Sequence, residues 1–308
     1  MADTVLEVEN LVKMYDKFKA VDGISFRVPK GKVLGLLGPN GAGKTTTIQV
    51  LTGITSATSG KIKYFGKDFS RHRQHCLSRI NFTPSFNTLQ NRITVWQNLL
   101  VYAQFYSVKN ARSRILELTR YMEIDDLLHQ QFLWLSAGQK TRVNLVKALI
   151  NDPELILMDE PTASLDPDIA DKTLTFLERM KKEKNLSILY TSHDMSEVTR
   201  ICDEVIFLDH GKIVAQDTPL NLTKMVQATE LRLVFEGVKG PVETYLKEKG
   251  QEFSYPNKNT VVIRTEEKMI PKLIFGLGKA GVFIVDIEVK KPTLEDVFLQ
   301  IARREKHV

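Results

Sequence analysis

Cysteine is nearly missing from this chain: Cys76 and Cys202 are the only two in 308 residues. They stand too far apart to suggest a disulfide framework or a paired metal motif, and such sparse usage suits a reducing compartment. Long apolar runs are missing as well. No stretch reaches the roughly 18 residues that read as a membrane-spanning helix, so the chain is not expected to cross a bilayer itself. The opening MADTVLEVEN carries acids early and has no apolar centre, unlike a secretory signal. Nor do aromatic and basic residues interleave as they do in single-strand nucleic-acid binders, and no nucleic-acid partner is expected.

What remains is an ordinary folded composition, 43% apolar and 26% charged, with length for one large domain and one small one. The net charge of +6 is uneven. Eleven Lys and Arg fall between residues 60 and 120 against only Asp68 and Glu117. A solvated face accounts for that segment, and an anionic membrane surface, nucleic acid or an acidic partner would suit it too.

The informative stretch is GLLGPNGAGKTTTIQVLTG, residues 35 to 53. From Gly38 to Thr45 it reads G-x-x-x-x-G-K-T, preceded by an apolar strand pattern and followed by a helical one. Gly41 and Gly43 let the backbone wrap phosphate oxygens at a helix N-terminus, where the dipole favours anions. Lys44 reaches the β- and γ-phosphates, and the Thr45 hydroxyl is placed to ligate Mg²⁺. This pattern predicts a nucleotide site.

Taken in order, residues 4 to 12 read as an edge strand followed by Tyr15, and Ile24, Phe26 and Val28 alternate as a half-buried strand. From about Arg71 to Ala148 the pattern is mostly helical, as in an inserted subdomain. LILMDE and SILYTS read as buried strands separated by a helix, and EVIFLDHGKIVAQ as a hairpin around His210 and Gly211. Strands alternating with helices imply an α/β fold with a mainly parallel sheet. The last 79 residues follow the order βαββαβ plus a helix, which fits a small ferredoxin-like α+β module.

Two patterns mislead. Gly276, Gly278 and Gly281 have dinucleotide-loop spacing, but they close a helical pattern with too little chain after them. His72, His75 and Cys76 resemble metal ligands without a fourth, and a surface helix explains them better.

Downstream of the phosphate loop, Asp159 ends a strand and can hold the Mg²⁺ shell, while the next acid, Glu160, is placed to orient or deprotonate an attacking water. LSAGQ (residues 135 to 139) stands before an amphipathic helix, so Ser136 and the backbone N–H groups near Gly138 make either an ordinary N-cap or a second anion site. SLD and a lone His193 follow in order.

That ordered set resembles the ATP-binding subunits of ABC transporters, over roughly residues 1 to 220. The resemblance implies a P-loop cassette over residues 1–222, with an antiparallel β subdomain and a helical subdomain at about 90–150, and an accessory domain over 229–308. It makes Gly38, Pro39, Asn40, Gly41, Ala42, Gly43, Lys44 and Thr45 the Walker A loop, with Thr46 a further nucleotide contact, Ser136, Gly138 and Gln139 the signature motif, and LILMDE the Walker B strand. Ser164–Asp166 matches the D-loop, His193 the switch histidine and Tyr15 the aromatic that stacks on adenine. ATP and Mg²⁺ are implied as cofactors. A second ATP-binding subunit is implied as a partner, most simply an identical copy, with ATP between one Walker A and the other signature. A transmembrane permease is the second partner, and the chain would sit peripherally on the cytoplasmic side of the inner or plasma membrane. Glu160, His193 and Lys44 would carry hydrolysis.

Ala137 replaces the family's usual glycine. More consequentially, Ser85 stands where the family has a glutamine that ligates Mg²⁺ and senses the membrane partner. Ser85 keeps an oxygen with less reach, so doubtful Mg²⁺ affinity and turnover are expected. PTLEDVF (residues 292 to 298) resembles the ending of exporter subunits whose channel is a separate polypeptide, systems that move drugs, lipids or glycoconjugates. A soluble ABC ATPase acting on ribosomes or DNA and a slow regulatory cassette are the alternatives.

Overall fold

The computed structural model describes residues 3–84, 89–224 and 229–298. The chain divides into two compact units, Met1–Pro219 and Leu220–Val308.

The first unit begins with β1 (Thr4–Tyr15) and β2 (Phe18–Pro29), then β3 (Val33–Leu37), α1 (Lys44–Leu51), β4 (Ser59–Tyr64), β5 (Lys67–Asp68), α2 (Arg73–Ser78) and β6 (Ile80–Thr83). The helices α3 (Val95–Phe105), α4 (Ala111–Tyr121) and α5 (Ala137–Leu149) come next. They are followed by β7 (Leu155–Asp159), α6 (Pro167–Lys184), β8 (Ser187–Thr191), α7 (Met195–Ile201), β9 (Glu204–Asp209) and β10 (Lys212–Asp217). A short α8 (Pro219–Thr223) spans the division between the units.

Two sheets result. One is antiparallel, in the order β2-β1-β4-β5; the other runs β10-β9-β3-β8-β7-β6, parallel except for the β9–β10 hairpin. In β3, β7 and β8 every residue is buried, as parallel strands covered on both faces must be. Leu34, Leu36, Leu155, Leu157 and Leu189 share one apolar cluster with Ile48 and Leu51 of α1 and with Val8, Phe26 and Tyr64 of the antiparallel sheet. This core fixes α1, and hence the loop that precedes it, at the C-terminal ends of the parallel strands.

One expectation needs correction: β1 is not an edge strand, since it pairs with β2 on one side and β4 on the other. The stretch from Arg71 to Ala148 is mostly helical, as expected, but it contains Ile80–Thr83, which forms β6, the edge of the parallel sheet beside β7. A buried Asn81 secures it, with Nδ2 donating to Asn151 Oδ1 at 2.8 Å. Cys76 of α2 lies in the core cluster, while His72 and His75 are exposed. Among the described residues, no group of His, Cys, Asp and Glu is placed to hold a metal ion. Among them, too, no helix is long and apolar enough to cross a membrane.

In the second unit, β11 (Thr229–Glu236), α9 (Lys239–Glu248), β12 (Glu252–Asn257), β13 (Thr260–Thr265), α10 (Ile270–Lys279) and β14 (Phe283–Lys290) build an antiparallel sheet in the order β12-β13-β11-β14. This is the ferredoxin-like arrangement of two split βαβ units. Leu231, Leu233, Val261 and Ile263 meet Val242, Leu246, Leu273 and Leu277 of the two helices. Gly276 lies in α10, where a Cβ would enter the Tyr245 ring of α9, whereas Gly278 has open space beside it and Gly281 follows the helix at φ 82°, so the three glycines close a helix and do not form a strand-to-helix loop.

Candidate functional site

The phosphate loop links β3 to α1. Gly41 and Gly43 take the left-handed conformation, with φ of 83° and 104°. A Cβ on Gly43 would run into the Ala20 carbonyl of β2, and one on Gly38 into the Leu208 carbonyl of β9. The loop is therefore pressed between two sheets. The β9–β10 turn braces it, since Gly211 N–H donates to the Ala42 carbonyl at 3.1 Å and the Gly211 carbonyl accepts from Asp22 N–H at 2.8 Å. The first turn of α1 holds no acid, and its cap position, Gly43, has no side chain. Its leading N–H groups are thus not capped by a side chain from that position.

Lys44 folds back over the loop, donating to the carbonyls of Gly38 at 2.6 Å and Pro39 at 3.1 Å. Burial pushes its ammonium pKa down, opposed by the charges of Glu160 and Asp159. A cavity of about 370 Å³ opens here, lined among others by Tyr15, Phe18, Lys44, Thr45, Asp159 and Glu160. Tyr15 and Phe18 face each other across the β1–β2 turn, both largely exposed.

Asp159, 5% exposed, ends β7 and accepts from Thr191 Oγ1 at 2.8 Å. Glu160 follows with φ of 50°, a conformation rare for a residue with a long side chain. Thr191 of β8 holds it there, taking the Glu160 N–H on both its carbonyl and its hydroxyl at 3.1 Å. The His193 ring, 71% exposed, places Nδ1 3.4 Å from Glu160 Oε2.

Not every expected residue lines this cavity. Ser136 caps α5, its Oγ accepting from Gln139 N–H at 3.2 Å while Gln139 Oε1 accepts from Ser136 N–H at 2.8 Å. This reciprocal box occupies both side chains. A Cβ on Gly138 would come 3.2 Å from the Ser164 carbonyl, so the start of α5 lies against the chain's own Ser164–Asp166 turn. Asp166 is exposed at the N-cap of α6. Ser85 lies outside the described residues. Phe18 was not anticipated; its pairing with Tyr15 across the turn is the signal that marks it.

A glycine-rich loop between a parallel strand and a helix, with acids ending a second parallel strand across β8, defines a P-loop nucleotide-binding protein. The sequence pattern of the ABC transporter family matches residues 21–163. The Nod factor export ATP-binding protein I of Burkholderia pseudomallei is 31% identical, covering 99% of each chain. The linearmycin resistance ATP-binding protein of Bacillus subtilis is 29% identical, covering 97% of this chain and 99% of its own. Among solved structures, an ABC transporter ATP-binding subunit superposes with a TM-score of 0.68 at 26% identity, covering 72% of this chain and 92% of its own. A component of a Clostridium perfringens ABC transporter complex does so at 0.63 with 30% identity, covering 72% and 91%. The chain belongs to the ABC transporter ATP-binding family, with the ATP binding that the family name states.

Proposed function

We propose that this chain is the ATP-hydrolysing subunit of an exporter whose membrane channel is a separate polypeptide. The observation that carries the proposal is the convergence of Lys44, Asp159 and Glu160 on one cavity, with His193 beside Glu160. Lys44 leaves its loop carbonyls to neutralise the β- and γ-phosphates, which the left-handed glycines and the start of α1 cradle. Tyr15, with Phe18 opposite, stacks on the adenine. Glu160 takes a proton from the attacking water, and His193 contacts the γ-phosphate while holding Glu160 in line. Thr45 and Asp159 form an oxygen-only set that suits Mg²⁺, with Ser85 as a further candidate. A Mg²⁺ held there would supply positive charge to neutralise the phosphates.

Ser136, Gly138, Gln139 and Asp166 lie outside the Lys44 cavity, which supports their acting on ATP held by a second subunit, most simply an identical copy. Closure of such a pair on ATP and reopening after hydrolysis would move a permease attached on the cytoplasmic side of the membrane. Export is supported by the relatives named for Nod factor export and linearmycin resistance. Drugs, lipids or glycoconjugates form the proposed cargo class, and the second unit is proposed as an accessory domain.

The test is a pull-down of tagged Glu160→Gln from gently solubilised native membranes with Mg-ATP, read by mass spectrometry. A stoichiometric multi-span protein is expected. Ribosomal proteins or nucleic acid in its place would overturn the exporter reading.

A further inference from the structure

Behind the site lies a carboxylate that none of the roles above uses. Glu197, in the first turn of α7, is only 9% exposed. Its Oε2 accepts three hydroxyls: Thr162 Oγ1 at 2.8 Å, Tyr190 OH at 2.8 Å and Ser192 Oγ at 2.9 Å. Burial, and then the Glu197 charge itself, push the Tyr190 phenol pKa up, so that hydroxyl remains a donor. Three hydroxyls meeting on one buried oxygen form a charge-assisted network, and removing the acceptor would strand all of them.

Each hydroxyl belongs to a different functional segment. Thr162 lies two residues beyond Glu160, and its carbonyl accepts from Leu165 N–H at 2.9 Å, closing the turn that leads to Asp166. Ser192 directly precedes His193, and its Oγ also accepts from Asp194 N–H at 3.0 Å, which fixes the turn carrying the histidine. Tyr190 anchors both to β8, the strand whose Thr191 holds Asp159 and Glu160.

We infer that Glu197 is a positioning residue for ATP hydrolysis: through Thr162 and Ser192 it sets Glu160 and His193 at their mutual distance and ties both to the Ser164–Asp166 turn. This rests on the proposed roles of Glu160 and His193. It goes beyond them by naming the group behind the site that makes their geometry a single unit.

The test is a double-mutant cycle in steady-state ATP hydrolysis with the full chain, combining Glu197→Ala with His193→Ala, and with Glu197→Gln as the conservative variant. Binding of a fluorescent ATP analogue at one per chain verifies folding. Glu197→Ala is expected to lower kcat ten- to a hundred-fold with KM for ATP changed less than about twofold. Glu197→Gln, which keeps an acceptor oxygen, should recover kcat to within about threefold of the parent. In the His193→Ala background, Glu197→Ala should cost at least about threefold less than in the parent, the remainder being its hold on Glu160 through Thr162. Equal cost in both backgrounds, or a loss confined to KM, would overturn the inference. Should Glu197→Ala not fold, Ser192→Ala takes its place in the cycle. Independently of turnover, the His193 ring signals at a fixed pH should move by NMR in Glu197→Ala relative to the parent, and unchanged ring signals also overturn the inference. A parent chain that hydrolyses no ATP would instead sink the catalytic reading, leaving those ring signals to decide the role of Glu197.

Discussion

Replacing Lys147 by methionine should erase a specific piece of the protein's pH dependence. Lys147 lies on the inward side of α5, 6% exposed, with Nζ donating to the Phe82 carbonyl at the end of β6 at 2.7 Å and lying 5.5 Å from the Tyr102 ring centre. Burial pushes its pKa from the ordinary 10.5 down to about 8. The unfolded chain therefore keeps this proton over a range in which the folded chain has lost it. With the folded value below the unfolded one, stability from this group is complete above about pH 10.5, falls as pH drops toward 8 and is flat below. Each pH unit carries about 1.4 kcal/mol, for a total of about 3 kcal/mol. Lys147→Met has no such proton. At neutral pH it loses the bond to Phe82, a cost of about 1–3 kcal/mol, but also the charge penalty, so the two proteins should lie close together. The assay is urea unfolding of both at pH 7.5, 8.5, 9.5 and 10.5, followed by tryptophan fluorescence. Trp96 and Trp134, the only two in the chain, both belong to the first unit, so the signal reports on that unit. The parent-minus-variant stability should climb by about 3 kcal/mol across the series. A difference flat to within about 0.5 kcal/mol would refute the reasoning, because the Phe82 carbonyl and Tyr102 would then compensate fully for burial.

Glu160→Gln should keep ATP binding while slowing single-turnover hydrolysis about 10²- to 10⁴-fold, and turnover at the parental rate would remove Glu160 from the role of base. Gly43→Ala places a methyl against the Ala20 carbonyl at a left-handed position. ATP should then no longer raise the Tm of the first unit, and a retained shift would contradict the packed loop. Tyr15→Ala should weaken ATP binding by about 1–3 kcal/mol through lost stacking, read by calorimetry; an unchanged Kd would assign the adenine to Phe18 alone.

The phosphate loop, the acid-tipped strand and the final hairpin were legible because each couples a residue pattern to a local conformation. β6 was hidden for a physical reason. Ile80–Thr83 is four residues long with a buried asparagine inside, and its strand character comes from pairing with β7 and from Asn151 and Lys147, which lie about seventy positions away. The central place of β1 was invisible because alternation reports which face is buried, not how many neighbours a strand has. Glu197 belongs to no motif. Its hydroxyl partners converge only once β8, α7 and the turn before α6 have packed. The α+β order of the second unit, by contrast, could be read directly, since its strands and helices are short, amphipathic and separated by turn residues.

The place of β3 in its sheet has a consequence for how the chain is made. β3 is emitted early, yet both of its neighbours come late: Val33 pairs with Ile188 on β8, and Leu34 with Glu204 on β9. At cellular elongation rates the intervening chain takes on the order of ten to thirty seconds to synthesise. Through that interval an all-apolar strand and its glycine loop have no sheet to join, and their partners are among the most sequence-distant in the unit. A nascent chain halted before β9 would thus present this strand to chaperones, and ATP could not act as a folding ligand until translation had passed Phe207, the last β9 residue paired with β3.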